Sequence, residues 1–307
     1  MNFDKVLVTG GSGQLGAFVV AELLDHCRVS VLDITPPKAD VPYFEADILD
    51  RPALAAALAG HDAVIQLAAL DAAVDAPEEQ FFRTNVQGLW NVLEAAEAAG
   101  VRRVVVCSSV AAYNISRENP PRYLPIDVDH RLAPVTAYGL GKQVGEVVAK
   151  SFAQRGAMRL CCLRPALVMQ ANIAYDVAGR TAESDGGAPP PAASDPSWRV
   201  LSEEIKGSRA FVGPADAARC FRAALDADTG AYAVFNVAAA DTYSPLPTLE
   251  VVRREFGVSP EIRDDALYDA DPRASMYDIS RSREMLDWEP RERWADLLDR
   301  VIAEAAG

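Results

Sequence analysis

The run YGLGK at 138–142 sets Tyr138 and Lys142 four residues apart, inside a stretch 136–154 whose apolar spacing predicts a helix, so both side chains leave one face. Such a pair can move a proton. A free phenol has a pKa of about 10, and bringing it toward 7 takes about 4 kcal/mol of preferential stabilisation of the phenolate, part of which an ammonium one turn away can supply. Taken alone, a tyrosine and a lysine at helical spacing are more often a surface pair than a catalytic one. The rest of the chain decides between the two.

A second constellation lies at the start. VLVTGGSGQLG at 6–16 is an apolar run ending in Gly10, Gly13 and Gly16, with Gln14 and Leu15 opening a helical pattern. Gly10 permits a tight turn, Gly13 lets backbone approach a pyrophosphate, and Gly16 lets the helix pack on the strand. The pyrophosphate then sits on the helix N-terminus. Asp33 closes the run VSVLD seventeen residues after Gly16. A carboxylate there accepts from the adenosine ribose hydroxyls and repels a 2′-phosphate, which predicts NAD rather than NADP. The following Ile34-Thr35-Pro36-Pro37 offers no arginine, and Lys38 reads as a solvated loop residue.

The elements that must position these groups follow from hydrophobic rhythm. Strands are expected at 5–9, 28–32, 43–46, 63–67, 103–107 and 159–163, and helices at 13–25, 52–59, 78–99 and 136–154. That alternation predicts an α/β fold, a Rossmann-type doubly wound parallel sheet with a small C-terminal α/β substrate lobe. Residues 1–165 would bind the dinucleotide and 166–307 would form mainly the substrate lobe, with about 208–240 returning to pack on the core. The proline- and glycine-rich run TAESDGGAPPPAASDP at 181–196 reads as a linker or lid. Beyond it come a short apolar piece at 211–212, a helix at 214–226, a strand at 233–237 and three amphipathic helices.

Bulk properties exclude several classes. A net charge of −14 argues against nucleic-acid or anionic-membrane partners, so an anionic substrate would need local basic residues. No stretch approaches the roughly 20 apolar residues that span a bilayer, and the N-terminus enters a strand directly, so a cytoplasmic location is expected. Five cysteines, odd in number and mostly in apolar runs, fit reduced core thiols; Cys161 and Cys162 would face opposite sides of a strand. His26, His61 and His130 lack ligand spacing and read as solvated or capping, and no metal site is expected.

The chain resembles the extended short-chain dehydrogenase/reductase superfamily, the NAD-dependent epimerase/dehydratase family. The matching residues are TGGSGQLG (9–16), Asp33, Asp47-Ile48, QLAAL (66–70), TNVQGLWNVLEAA (84–96), SSVAAY (108–113), YGLGK (138–142) and LRP (163–165), with further similarity at SRAFVGPADAAR (208–219) and DISRSREMLDWEP (278–290). Their order spans nearly the whole chain. The resemblance implies that Asp47 and Ile48 flank the adenine and that Leu67, Ala68 and Ala69 line the path to the ribose. Asn85, Ser108 and Pro165 fall on the cofactor side, and Gln66 stands where the family often has histidine. It also implies that Ser109 hydrogen-bonds the substrate oxygen, that Lys142 holds the nicotinamide ribose, and that Tyr138 removes a hydroxyl proton as hydride passes to NAD.

The expected activity is therefore that of an NAD-dependent oxidoreductase-type enzyme on a sugar or sugar derivative, a sugar nucleotide epimerase. Val110 and Ala111 stand where family dehydratases carry an Asp-Glu pair, which disfavours dehydration. Leu167 replaces an asparagine that sugar-nucleotide epimerases often use on the diphosphate, while Arg209 matches a basic residue of the family; Ser109, Ala111 and Arg209 are the candidate substrate contacts. A dehydrogenase of a free sugar, uronate or other small hydroxy compound stays open, and a non-catalytic NAD-sensing regulator is a third class. The helices at 78–99 and 136–154, with Trp90, resemble the pair that family members use to form a homodimer.

Overall fold

Along β1 (Lys5–Thr9), Val6 and Val8 are buried in one layer and Leu7 in another, as a strand covered by helices on both faces requires. The structure is a computed structural model that describes residues 3–171, 173–174 and 208–306. The expected linker at 181–196 lies outside the described residues.

The strands are β2 (Arg28–Asp33), β3 (Tyr43–Glu45), β4 (Ala63–Gln66), β5 (Arg103–Cys107), β6 (Tyr123–Leu124), β7 (Arg159–Pro165), β8 (Leu167–Val168), β9 (Phe211–Val212), β10 (Tyr232–Val237) and β11 (Glu261–Ile262). Seven of them form one parallel sheet in the order β10-β7-β5-β4-β1-β2-β3. This is the doubly wound Rossmann-type arrangement. The order reverses between β1 and β4, and the crevice outside the carboxyl ends of the strands at that point is where such sheets bind ligands.

Two helices, α1 (Gln14–Leu24) and α6 (Pro214–Asp226), cover one face and bury Val19, Leu23 and Phe221. On the other face α2 (Arg51–Leu58), α4 (Leu89–Ala98) and α5 (Ala137–Gln154) bury Leu54, Leu58, Val92, Leu93 and Phe152. The single helix expected at 78–99 is divided: α3 (Glu78–Phe82) passes into a π-helical stretch Arg83–Gly88 before α4. The wider turn carries Asn85, whose amide takes both its partners from the backbone of Leu70 outside the helix.

Among the described residues, the helices that follow β10 are α7 (Thr248–Phe256), α8 (Asp265–Ala270), α9 (Ser280–Leu286) and α10 (Trp294–Ala306). They number four rather than the three expected. The Asp264 carboxylate caps the start of α8, and Asp287, with φ of 50°, turns the chain into the left-handed region to end α9. Tyr113, Leu124, Ile126, Val252, Phe256 and Tyr277 form a separate core here. His130 belongs to it, which corrects the solvated reading: it is buried edge-on to Tyr113 and Tyr123, and its Nε2 accepts from the Arg122 amide at 3.2 Å. No helix among the described residues is long and apolar enough to cross a membrane.

Candidate active site

The glycine turn is shaped by close backbone approach. Gly10 has φ of +72°, and a Cβ on it would lie 2.5 Å from the Ala68 nitrogen; one on Gly16 would lie 2.1 Å from the Gly10 carbonyl oxygen. Leu67 and Ala68 therefore lie directly against the turn, and their amides donate to the Thr9 carbonyl at 3.0 and 3.1 Å. Gly13 and Gln14 are exposed at the start of α1, where first-turn amides have no intrahelical acceptor. A turn in which Gly10 and Gly16 leave no room for a Cβ, beneath a helix N-terminus, fits a pyrophosphate.

The carboxylate of Asp33 sits at the end of β2 beside this turn. Its Oδ2 accepts from the Ser12 amide (3.0 Å) and its Oδ1 from the Thr35 amide (3.2 Å), while Ser12 Oγ donates to the Thr35 carbonyl (2.6 Å). The turn and the strand end are thus tied together, and the carboxylate keeps acceptor capacity for a diol. Ser12 was not singled out from the sequence, because a serine between glycines carries no pattern of its own. Leu15 and Gly16 continue the same turn.

Several expected cofactor positions are committed within the protein. Asn85 Oδ1 accepts from the Leu70 amide (2.7 Å) and its Nδ2 donates to the Leu70 carbonyl (3.0 Å), so it clamps the loop after β4 near Ala69. Gln66 Nε2 donates to the Ala68 carbonyl at 2.8 Å. Ile48 is buried against α2 and α4, Asp47 is exposed with its carboxylate on the Leu49 amide, and Pro165 is buried at the end of β7. Ser108, with its neighbour Ser109 at the end of β5, has its hydroxyl on Glu146 at 2.5 Å.

Ser109, Tyr138 and Lys142 come together at the carboxyl end of the sheet. Thr136 caps α5 by accepting from the Gly139 amide (3.1 Å), which starts the helix beside the turn Val110–Ala112. Ser109 Oγ accepts from the Ala111 amide at 3.1 Å and lies near enough to the Tyr138 phenol to pull its pKa down. Lys142 Nζ is 5.4 Å from the centre of the Tyr138 ring and donates to the Cys107 carbonyl at 2.8 Å. Burial holds the Tyr138 phenol well above its ordinary pKa; the Asp71 carboxylate and Cys107 add to this, and Ser109 pulls down. Against the lowering expected from the spacing of Lys142, desolvation of the phenolate dominates here. Asp71, on the loop held by Asn85, escaped the sequence reading because it belongs to no repeating pattern.

On the substrate side, Ala111 lies beside Ser109, and Arg209 Nη2 donates to Glu255 on α7 at 2.7 Å. A carboxylate already answers the one basic side chain carried over for an anion. Among the described residues no cluster of three or more His, Cys, Asp or Glu is arranged to hold a metal.

The chain is similar to known proteins. The chain is 26% identical over 334 residues to a UDP-glucose 4-epimerase of Lactobacillus helveticus, covering 98% of this chain and 96% of that one. It is 32% identical over 173 residues to an L-arabinose 1-dehydrogenase (NAD(P)(+)) of Haloferax volcanii, covering 52% of this chain and 65% of that one. The chain spans about half the length of several other curated relatives that it matches at 30% identity or more. A short-chain dehydrogenase/reductase superfamily protein of Agrobacterium tumefaciens, solved with bound NAD, superimposes with a TM-score of 0.72 at 24% identity, over 98% of this chain and 97% of that one. The family model that matches residues 6–238, most of the chain, is that of the NAD dependent epimerase/dehydratase family, and to this family the chain belongs.

Proposed function

We propose that the chain binds NAD in the glycine turn and uses Tyr138, Ser109 and Lys142 to oxidise a hydroxyl-bearing carbon of a sugar or sugar derivative, as a sugar epimerase. The observation that carries this reading is the convergence of Ser109, the Tyr138 phenol and the Lys142 ammonium at the carboxyl end of β5, on the same sheet edge as the glycine turn that follows β1 and with β4 between them. Bound NAD supplies the hydride acceptor and, in its oxidised form, a positive ring charge. Asp33 holds the adenosine ribose and disfavours a 2′-phosphate. Lys142, anchored by the Cys107 carbonyl, keeps donors for the second ribose.

Tyr138 Oη takes the proton of the substrate hydroxyl while Ser109 Oγ hydrogen-bonds the same oxygen as charge changes on it. Without a second charge nearby the buried phenol stays protonated, so it acts as a base only when cation and substrate are both in place. Val110 and Ala111 bring no acid or base for eliminating water. Residues 1–165 carry the cofactor contacts and 166–307 mainly the substrate lobe. The five free thiols support a cytoplasmic, reducing setting. Exposed Phe82, Trp90, Leu140 and Val147 on α3 to α5 support a homodimer through these helices.

Two observations favour a second reading. Arg209 is paired with Glu255 and the chain carries a net charge of −14, which suits a small substrate better than a nucleoside diphosphate sugar. That reading is an NAD-dependent dehydrogenase of a free sugar or other small hydroxy compound. Incubation with NAD and a panel of sugar nucleotides, free sugars and uronates, followed by the absorbance of reduced nicotinamide, separates them. Reduced cofactor accumulates for a dehydrogenase; sugar product without accumulation marks an epimerase. NAD binding with no turnover across the panel would overturn both in favour of a non-catalytic NAD sensor.

A further inference from the structure

Tyr138, Lys142 and Glu146 stand four apart on α5, and each holds one of three consecutive residues leaving β5. Tyr138 neighbours Ser109, Lys142 Nζ donates to the Cys107 carbonyl (2.8 Å), and Glu146 Oε1 accepts from Ser108 Oγ (2.5 Å). The third contact takes no part in the proposed chemistry, yet it is the most deeply built. Glu146 and Ser108 are both buried, and a buried carboxylate stays charged only if it is paired and hydrogen-bonded.

Arg164, near the end of β7, answers it: Nε donates to Oε1 at 2.8 Å and Nη2 to Oε2 at 2.7 Å. The guanidinium is itself pinned, with Nη1 on the Tyr113 hydroxyl (2.7 Å) and on the Val128 carbonyl (3.0 Å). The Ser108 amide donates to the Leu163 carbonyl at 2.7 Å, beside Arg164. Backbone and side chain of Ser108 are therefore both fixed, to β7 and to α5.

We propose that Glu146, held by Arg164, is a positioning residue that acts through Ser108 to set the Ser109 hydroxyl against Tyr138. The bond of Ser109 Oγ to the Ala111 amide fixes its rotation within the turn but not the place of the turn relative to α5. A strand advances about 3.3 Å per residue, so any slip of Ser108 is passed to Ser109. A misplacement of about 1 Å at reacting groups costs up to about a hundredfold in rate. This role rests on the reading of Ser109 and Tyr138 as the reacting pair.

Replacing Glu146 would strand the buried Arg164 and risk unfolding, so the test uses Ser108→Ala, which leaves the Glu146–Arg164 pair intact. With NAD and the best substrate of the panel, kcat falls on the order of tenfold. The NAD dissociation constant by calorimetry stays within about twofold of the parent. The acid limb of the kcat–pH profile moves to higher pH, because the Ser109 contact that lowers the Tyr138 pKa is weakened. Ser108→Thr, which keeps the hydroxyl, restores the limb. A crystal structure of Ser108→Ala gives a readout without turnover, with Ser109 Oγ displaced from its parental place. Unchanged kcat and pH limb, or a Ser109 that superimposes on the parent, overturns the positioning role. Tyr138→Phe separates the failures: if it is inactive while Ser108→Ala matches the parent, only this role falls, and if it stays active, the reading of the reacting pair falls and this role with it.

Discussion

Gly16→Ala probes whether the glycine turn is a shelf for phosphate or merely a strand-to-helix corner. The added Cβ would stand 2.1 Å from the Gly10 oxygen, 2.8 Å from Gly11 Cα and 2.9 Å from the Gly11 carbonyl carbon. All three are backbone atoms, so no rotamer change relieves the overlap, and reaching ordinary contact requires the turn or α1 to move by about 1 Å. Overpacking of this kind costs about 1–3 kcal/mol, a fall of a few degrees in Tm for a chain of this size. Binding suffers more than stability, since the atoms that must move are the turn on which the pyrophosphate rests. The expected NAD dissociation constant by calorimetry rises about a hundredfold or more, by the argument from misplaced contacts. Gly60→Ala is the control: Gly60 has φ of +74° and nothing within 4 Å of the added methyl. It costs stability of order 1 kcal/mol through backbone strain, with no change in NAD affinity. Parental NAD affinity in Gly16→Ala, with Tm unchanged, would refute the reasoning.

Replacing Tyr138 with Phe removes the proton acceptor and is expected to lower kcat by about 10²-fold or more while calorimetry shows NAD binding intact; retained turnover sinks the assignment. Because Asp71 raises the Tyr138 pKa and the base works deprotonated, Asp71→Asn is expected to move the acid limb of the kcat–pH profile to lower pH, and an unmoved limb would contradict it. Asp33→Asn removes the negative charge and one of the two acceptor oxygens while keeping one oxygen for the Ser12 amide, so NAD affinity is expected to fall about tenfold and the preference over NADP to narrow, as competing titrations would report. Val147→Glu, on the exposed face of α5, is expected to shift sedimentation from dimer to monomer without loss of fold; an unchanged species distribution rules out that interface.

Much of the nucleotide-binding half was legible because its signals are local. The strands β1 and β5 begin and end where their apolar runs do, and Thr136 caps α5 one residue before its first turn. The π-helical widening at 83–88 was not legible. It exists because Asn85 bonds Leu70, a partner fifteen positions away that no helical periodicity encodes. The Cys107 carbonyl as a partner of Lys142 was not legible for the same reason, since it lies on a different element.

By itself the sequence determined the cofactor class, through three glycines and an acid whose spacing is a property of one βαβ unit, and its motif order put Ser109, Tyr138 and Lys142 forward as candidate reacting residues. Only the tertiary structure decided which of those groups are free to act. It tied Asn85 and Ser108 to the protein, answered Arg209 with Glu255, and raised the Tyr138 phenol by burial. Hydrogen-bond partners and desolvation depend on elements far apart in sequence, and these exist for a side chain only once the sheet has closed around it.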